Sequence, residues 1–378
     1  MLRILIAFLM IAATAAAPGR AAPTIPTAPQ VDARAYILVD FHTDKILASK
    51  DAVARLEPAS LTKLMTAYLV FEQLSTGKLK LDEPVTVSEK AWRSEGSRSF
   101  IELGKPVPVQ ALILGMIVQS GNDATIALAE RIGGTEETFV QLMNSEAQRL
   151  GMAGTHFENS SGLPSAQHYT TARDMSLLAA ALIRDFPQYY HWFSQHEFEY
   201  NGIKQQNRNG LLSTDPSVDG LKTGHTDSAG FCLVTSAQRS GMRLVSVVLG
   251  STSMKAREGA SAALLNYGFT FYETTLAAKA GVKLISAEVW KAEKSPVDIG
   301  IKRDLYVTVA RGTAADIKTV IDVESRLFAP LATDAIVGQL RVIAGGETVA
   351  TVPVHPLVNV AAGSWSRRLI DTVRLWFR

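Results

Sequence analysis

Ser60-Leu61-Thr62-Lys63, Ser120-Gly121-Asn122 and Lys222-Thr223-Gly224 follow one another along a chain of 378 residues. Together they hold a nucleophile, two lysines, a second hydroxyl and a carboxamide. That inventory suits acyl transfer through a covalent serine intermediate. A serine hydroxyl is weak at its own pKa and needs a base. Lys63, one helical turn from Ser60, can serve if it is neutral. Burial and the positive charge of Lys222 would both favour that neutral form. Ser120 can relay a proton to the leaving amine, and later position the deacylating water with Lys63. Asn122 offers a donor and an acceptor to a substrate amide. Lys222 and Thr223 suit a free carboxylate, with Arg208 assisting.

Each motif alone is weak. Ser-x-x-Lys should occur about once by chance in a chain this long. A second copy, Ser75-Thr76-Gly77-Lys78, stands where an apolar helical run ends at a glycine and reads as a helix C-terminus. Lys-x-Gly recurs at Lys279-Ala280-Gly281. The context separates the first set from these. Leu61, Leu64, Met65, Tyr68 and Leu69 follow helical spacing, which predicts that Ser60 opens a helix with Lys63 on the same face. Backbone N–H groups at that helix start would face a developing oxyanion. Ser120-Gly121-Asn122 interrupts two apolar helical runs and predicts a turn. Lys222-Thr223-Gly224 precedes the runs Phe231–Thr235 and Leu244–Leu249, a pattern of antiparallel strands with the motif on or beside an edge strand. Taken singly, Ser60 could be only an N-cap, Lys63 a solvated lysine, Asn122 a turn residue and Thr223 a strand residue.

With its neighbours included, the set resembles the low-molecular-mass penicillin-binding proteins of the serine D-alanyl-D-alanine carboxypeptidase type. Matching stretches are Pro58-Ala59-Ser60-Leu61-Thr62-Lys63-Leu64-Met65-Thr66, Gln119-Ser120-Gly121-Asn122-Asp123-Ala124, Thr171-Ala172-Arg173-Asp174-Met175, Asn207-Arg208-Asn209-Gly210-Leu211-Leu212 and Asp219-Gly220-Leu221-Lys222-Thr223-Gly224-His225-Thr226. The resemblance covers nearly the whole exported chain. It implies an α+β, β-lactamase-like catalytic domain of the penicillin-recognising serine acyl-transferases, then a small all-β domain. It implies catalysis by Ser60, Lys63 and Ser120, and substrate binding by Asn122, Lys222, Thr223, Gly224, His225 and Arg208. The N–H of His225 is its contribution to an oxyanion hole shared with the N–H of Ser60. The implied substrate is a peptidoglycan pentapeptide, with β-lactam antibiotics as inhibitors. The region Ala91–Leu103 is shorter than in familiar members, and in the family this loop lies near the site. Arg173 and Asp174 also stand at the start of the apolar helical stretch Met175–Ile183, where aspartate is an ordinary first-turn residue.

The rest of the chain is organised around this unit. Met1-Leu2-Arg3, the apolar Ile4–Ala13 and the small residues after it read as a signal peptide, residues 1–22, with cleavage after Ala17, Ala21 or Ala22. Residues 23–30 form a linker, and 31–275 the catalytic domain. Residues 276–362 hold short β-rich runs around Val307-Thr308-Val309, Thr319–Val323, Val337–Val342 and Thr348–Val352, a sandwich without a catalytic cluster. Residues 363–378 form an amphipathic helix. Trp365, Leu369, Ile370, Val373, Trp376 and Phe377 fall on one side, with Arg367, Arg374 and Arg378 opposite and Arg368 flanking. It is too short to span a bilayer and suits a membrane surface; the alternative is a helix docked on the protein itself. These features place the protein outside the cytoplasm, in the periplasm, on the outer face of the cytoplasmic membrane.

Composition narrows the classes. The net charge is +2 and no long basic run occurs, so nucleic acid is not an expected partner. The single cysteine, Cys232, forbids an intrachain disulfide and reads as a buried small hydrophobe. His191 and His196 are five apart and split across helix faces, so no metal is expected, and no cofactor. A class A β-lactamase would need a Glu-x-x-x-Asn segment; Glu146 and Glu158 lack the asparagine. An endopeptidase with the same serine chemistry, or a peptidoglycan-binding scaffold without turnover, remain as rivals.

Overall fold

The computed structural model describes residues 24–377. The expected signal segment, residues 1–22, and the terminal Arg378 lie outside the described residues. Five antiparallel strands form the central sheet: β1 (Ala35–Asp40), β2 (Ile46–Lys50), β3 (Val218–Thr226), β4 (Gly230–Arg239) and β5 (Met242–Ser251). Their order is β2-β1-β5-β4-β3, so β3, which carries Lys222-Thr223-Gly224, is an edge strand. Alternation along β1 explains the layering, because successive side chains leave a strand on opposite faces. Tyr36 and Leu38 pack with Leu244, Val248, Leu264 and Leu265. Ile37 and Val39 face a larger core with Val245, Val247, Leu64 and Phe71.

That larger core is helical. Its principal members are α1 (Lys63–Ser75), α2 (Asn122–Gly133), α3 (Glu136–Arg149) and α4 (Ala172–Asp185), while α5 (Met254–Phe271) covers the other face of the sheet. Every residue of α1 from Lys63 to Phe71 is buried. Helices that are buried all round are set by packing, not by one amphipathic stripe. α1 closes at Gly77, whose φ of +72° suits a left-handed helix end. The second Ser-x-x-Lys copy is therefore a helix terminus.

Beyond α5 the chain enters β6 (Tyr272–Ala278). Strands β7 (Ile285–Ala287), β8 (Val297–Gly300), β9 (Leu305–Ala310), β10 (Lys318–Val323), β11 (Gly338–Ala344) and β12 (Glu347–Pro356) follow. β6 pairs with β9, and a second five-stranded sheet runs β7-β8-β12-β11-β10. The junction expected between residues 275 and 276 thus lies inside β6. Leu340, Val342, Val354, Ile299 and Val297 form a separate core here. The chain ends in α6 (Trp365–Leu375).

Candidate active site

The nucleophile motif sits at a tight turn. Ala59 has φ +47°, and Ala59–Thr62 form one 3-10 turn that runs into α1. Ser60 makes no capping hydrogen bond; its Oγ accepts one from Lys63 Nζ at 3.0 Å. The N-cap alternative for Ser60 therefore fails. So does the solvated alternative for Lys63, which is 1% exposed.

Lys63 Nζ has three neighbours: Ser60 Oγ, Asn122 Oδ1 at 2.7 Å and the Ser161 carbonyl at 2.6 Å. Two are acceptors only. A neutral amine has two N–H donors and one lone pair. Satisfying Asn122 and Ser161 leaves the lone pair for the hydroxyl of Ser60. Burial, then the charge of Arg208, pushes Lys63 down to about 7, against the opposing pull of Asp123. Arg208 joins Lys222, whose repulsion with Lys63 acts within the same buried pair, in disfavouring the charged amine. At an ordinary lysine pKa only about one amine in several thousand would be neutral at pH 7; the downward shift makes the neutral form accessible there.

Ser120 and Asn122 come from the turn before α2. The helix Val109–Leu114 widens into a π turn, Gly115–Gln119, and Gly121 N–H closes it on Gly115 O at 3.0 Å. Ser120 then takes φ +65°. Its Oγ is buried and has no hydrogen-bond partner among the described residues, while the residue lines the cleft. Such an orphan hydroxyl is costly unless a ligand or water meets it. The Asn122 carboxamide accepts from Lys63 Nζ and donates to the Glu95 carbonyl at 2.6 Å, which leaves it a second N–H and a second lone pair.

The far wall is β3. Lys222 is 3% exposed, and its Nζ donates to Thr223 O at 3.0 Å. Burial and then the charges of Lys63, Arg208 and Arg257 hold it well below the ordinary lysine value. Gly224 is demanded by close approach. A Cβ there would lie 3.0 Å from Pro58 O and 3.1 Å from Ser60 N. The His225 ring packs on Phe231, 4.0 Å between centroids. A cleft of about 560 Å³ is lined by Ser60, Ser120, Arg208, Thr223, Gly224 and His225, with Gly96, Ser97 and Arg257 among the rest. A larger cavity, about 630 Å³, opens beside Glu57 and His168 and contains no motif residue.

Two further residues at or beside the cleft escaped the sequence reading. Arg257 is 3% exposed, reaches Gly224 O and Arg208 O, and keeps a buried Nε without a partner among the described residues. Its signal was an arginine in the first turn of α5, where the helix dipole disfavours a cation. Asp123 accepts from the N–H groups of Ser99 and Ile101, tying the segment Ala91–Leu103 to the Ser120 turn. Asp174 is structural: its N–H is capped by Thr171, and its carboxylate takes Gly154 N and Thr155 Oγ1. None of Lys63, Lys222, Arg208 and Arg257 forms an ion pair among the described residues. The guanidinium groups of Arg208 and Arg257, without an ion-pair partner there, attract an anion to the cleft.

Comparison with known proteins agrees with this geometry. The model of the peptidase S11 family, D-alanyl-D-alanine carboxypeptidase, matches residues 22–253, and that of the penicillin-binding protein 5 C-terminal domain matches residues 272–362. The D-alanyl-D-alanine carboxypeptidase DacA of Escherichia coli is 41% identical over 361 residues, covering 93% of this chain and 90% of its own. Penicillin-binding protein 5 from Haemophilus influenzae superposes with a TM-score of 0.85 at 39% identity, over 89% of this chain and 99% of that one. Penicillin-binding protein D2 from Listeria monocytogenes, solved in its ampicillin-bound form, matches 63% of this chain and 98% of its own, with a TM-score of 0.59 at 32% identity. The chain belongs to the peptidase S11 family of D-alanyl-D-alanine carboxypeptidases.

Proposed function

We propose that this protein is a serine D-alanyl-D-alanine carboxypeptidase that removes the terminal D-alanine from peptidoglycan pentapeptides and is acylated by penicillins. The observation that carries the reading is the set of partners of Lys63, which leaves a lone pair for Ser60. Ser60 Oγ attacks the carbonyl carbon of the penultimate D-alanine, and its proton passes to Lys63. The oxyanion meets the N–H groups of Ser60 and His225. Ser120 relays the proton from Lys63 to the departing amine of D-alanine. Water, activated by the same pair, then frees Ser60.

The free carboxylate of the substrate is the anion that Thr223, Arg208, Arg257 and the buried Lys222 accept. Its charge would restore the Lys222 proton that burial disfavours. A carboxyl-amidated peptide should therefore lose about 10- to 100-fold in kcat/KM, the worth of a desolvated charged contact. Comparing release of the last residue from free and amidated D-Ala-D-Ala peptides checks this. Equal rates would remove the carboxylate role, and with it the preference for carboxypeptidase over endopeptidase.

The protein acts in the periplasm, held at the outer face of the cytoplasmic membrane by α6. Support comes from how α6 sits. Asp371 is its buried residue, and its carboxylate accepts from Lys291 N–H at 2.7 Å. The apolar side points outward: Trp365 is 73% exposed, Leu369 51%, Trp376 82% and Phe377 86%. A helix docked on its own protein by that side would hide it. No helix among the described residues is long and apolar enough to cross a membrane. Four arginines less Asp371 give the tail three net positive charges, worth at most about 3 kcal/mol against anionic lipid. The aromatic and aliphatic side chains must supply the rest. Salt should release the protein only partly and detergent fully. Truncation after Gly363 should leave an active, soluble enzyme. Equal pelleting of both forms with membranes would place the anchor elsewhere.

A further inference from the structure

The residue that precedes the nucleophile is held by a chain of hydrogen bonds that the reaction scheme does not use. Glu158 N–H donates to His168 Nδ1 at 3.1 Å. A backbone N–H cannot accept, so Nδ1 is the acceptor and the imidazole hydrogen sits on Nε2. Nε2 lies 2.8 Å from Thr62 Oγ1 and therefore donates to it. The hydroxyl hydrogen of Thr62 is then directed to Ala59 O, 2.9 Å away. Each direction in the chain follows from the one before. Thr62 and His168 are 0% and 3% exposed. Burial pushes His168 down to about 4, which keeps the ring neutral.

The far end of the chain is a strained point. Ala59 has φ +47°, a region alanine seldom enters. Its carbonyl is also pressed by Gly162, where a Cβ would lie 1.8 Å from Ala59 O. Ala59 O and Ser60 N–H belong to one planar trans peptide unit and point in opposite directions. Holding the carbonyl therefore aims the N–H. On the other side, Gly224 of β3 approaches Ser60 N so closely that a Cβ there would lie 3.1 Å from it.

We propose that Thr62 and His168 are positioning residues for acylation, fixing the Ala59–Ser60 peptide plane so that Ser60 N–H serves as an oxyanion donor. This rests on the reading of Ser60 as nucleophile. The hydroxyl of Thr62 acts on the plane directly; His168 acts through Thr62 by committing that hydroxyl's hydrogen to Ala59.

The test measures the acylation rate constant and the preceding non-covalent affinity separately, with a labelled penicillin and the full mature chain. Thr62→Val keeps the shape and removes the hydroxyl. It should slow acylation by about 10²-fold, the size of a lost oxyanion donor, and change affinity by less than about threefold. Thr62→Ser should stay within about threefold of the native rate on the same argument. His168→Ala should slow acylation. His168→Gln, whose amide can both accept from Glu158 and donate to Thr62, should restore it. Thermal midpoints of all four report folding independently. Native acylation by folded Thr62→Val would overturn the inference. So would equal losses in Thr62→Ser and Thr62→Val, which would make the hydroxyl irrelevant. If the native protein took no label, the Ser60 reading would fall and the inference with it.

Discussion

Lys63→Ala is expected to lower the acylation rate constant by at least about 10²-fold, the size typical of a lost general base. The loss should appear in the rate constant and not in affinity, because Lys63 lies behind the cleft and touches Ser60 Oγ, Asn122 and Ser161. The same geometry sets the pH dependence. The base must be neutral, and burial holds Lys63 at about 7. Acylation should rise with pH, level above about 7, and fall toward tenfold per pH step well below it. Stopped-flow acylation of the native enzyme across pH 5 to 9 checks the sign. A rate that falls on passing upward through 7 would mean that the charged amine is the working form. Lys63→Ala also empties a fully buried site and leaves Asn122 Oδ1 and Ser161 O without their donor. Measurement of its thermal midpoint separates that cost from chemistry.

Ser60→Ala is expected to remove covalent labelling altogether. A penicillin acylates one hydroxyl, and Ser60 is the hydroxyl in contact with the buried amine. Ser120 cannot substitute. It lines the same cleft, but no hydrogen bond links its Oγ to Lys63. The variant should fold as the native chain does, since the Ser60 side chain is half-buried and its one partner, Lys63, keeps Asn122 and Ser161. It should still bind penicillin without reaction, because Thr223, Arg208 and Arg257 remain. Titration with labelled penicillin should give one equivalent on the native protein and none on Ser60→Ala. Label retained by the variant would move the nucleophile elsewhere.

Local pattern carried much of this site in the sequence, and long-range contact carried the rest. The helical spacing of Leu61, Leu64, Met65 and Tyr68 was enough to put Ser60 and Lys63 on one face. The strand runs after Lys222 were enough to put the motif on an edge strand. What pattern could not give was which atoms meet across the fold. Asn122 faces Lys63 because α2 packs beside α1, 59 residues away in sequence. The other acceptor on Lys63, Ser161 O, is a backbone atom and has no residue signature. Arg257 enters the cleft from α5 on the other side of the central sheet. His168 read as one of seven histidines without ligand spacing, because its partner Thr62 is 106 residues away. The strand that spans the expected junction near residue 275 was illegible for a related reason. β6 starts immediately after α5 and pairs with β9, a partner that composition does not reveal.

Trapping the acyl-enzyme during turnover tests the central claim most directly. The native protein, quenched in acid while it processes a peptide ending in D-Ala-D-Ala, is digested and its peptides are weighed. The account predicts an adduct on the fragment containing Ser60, with the mass of the peptide substrate less its terminal D-alanine, and free D-alanine equal to that adduct plus the shortened peptide already released. Release of D-alanine with no adduct under conditions that slow deacylation, or an adduct on another residue, would contradict it.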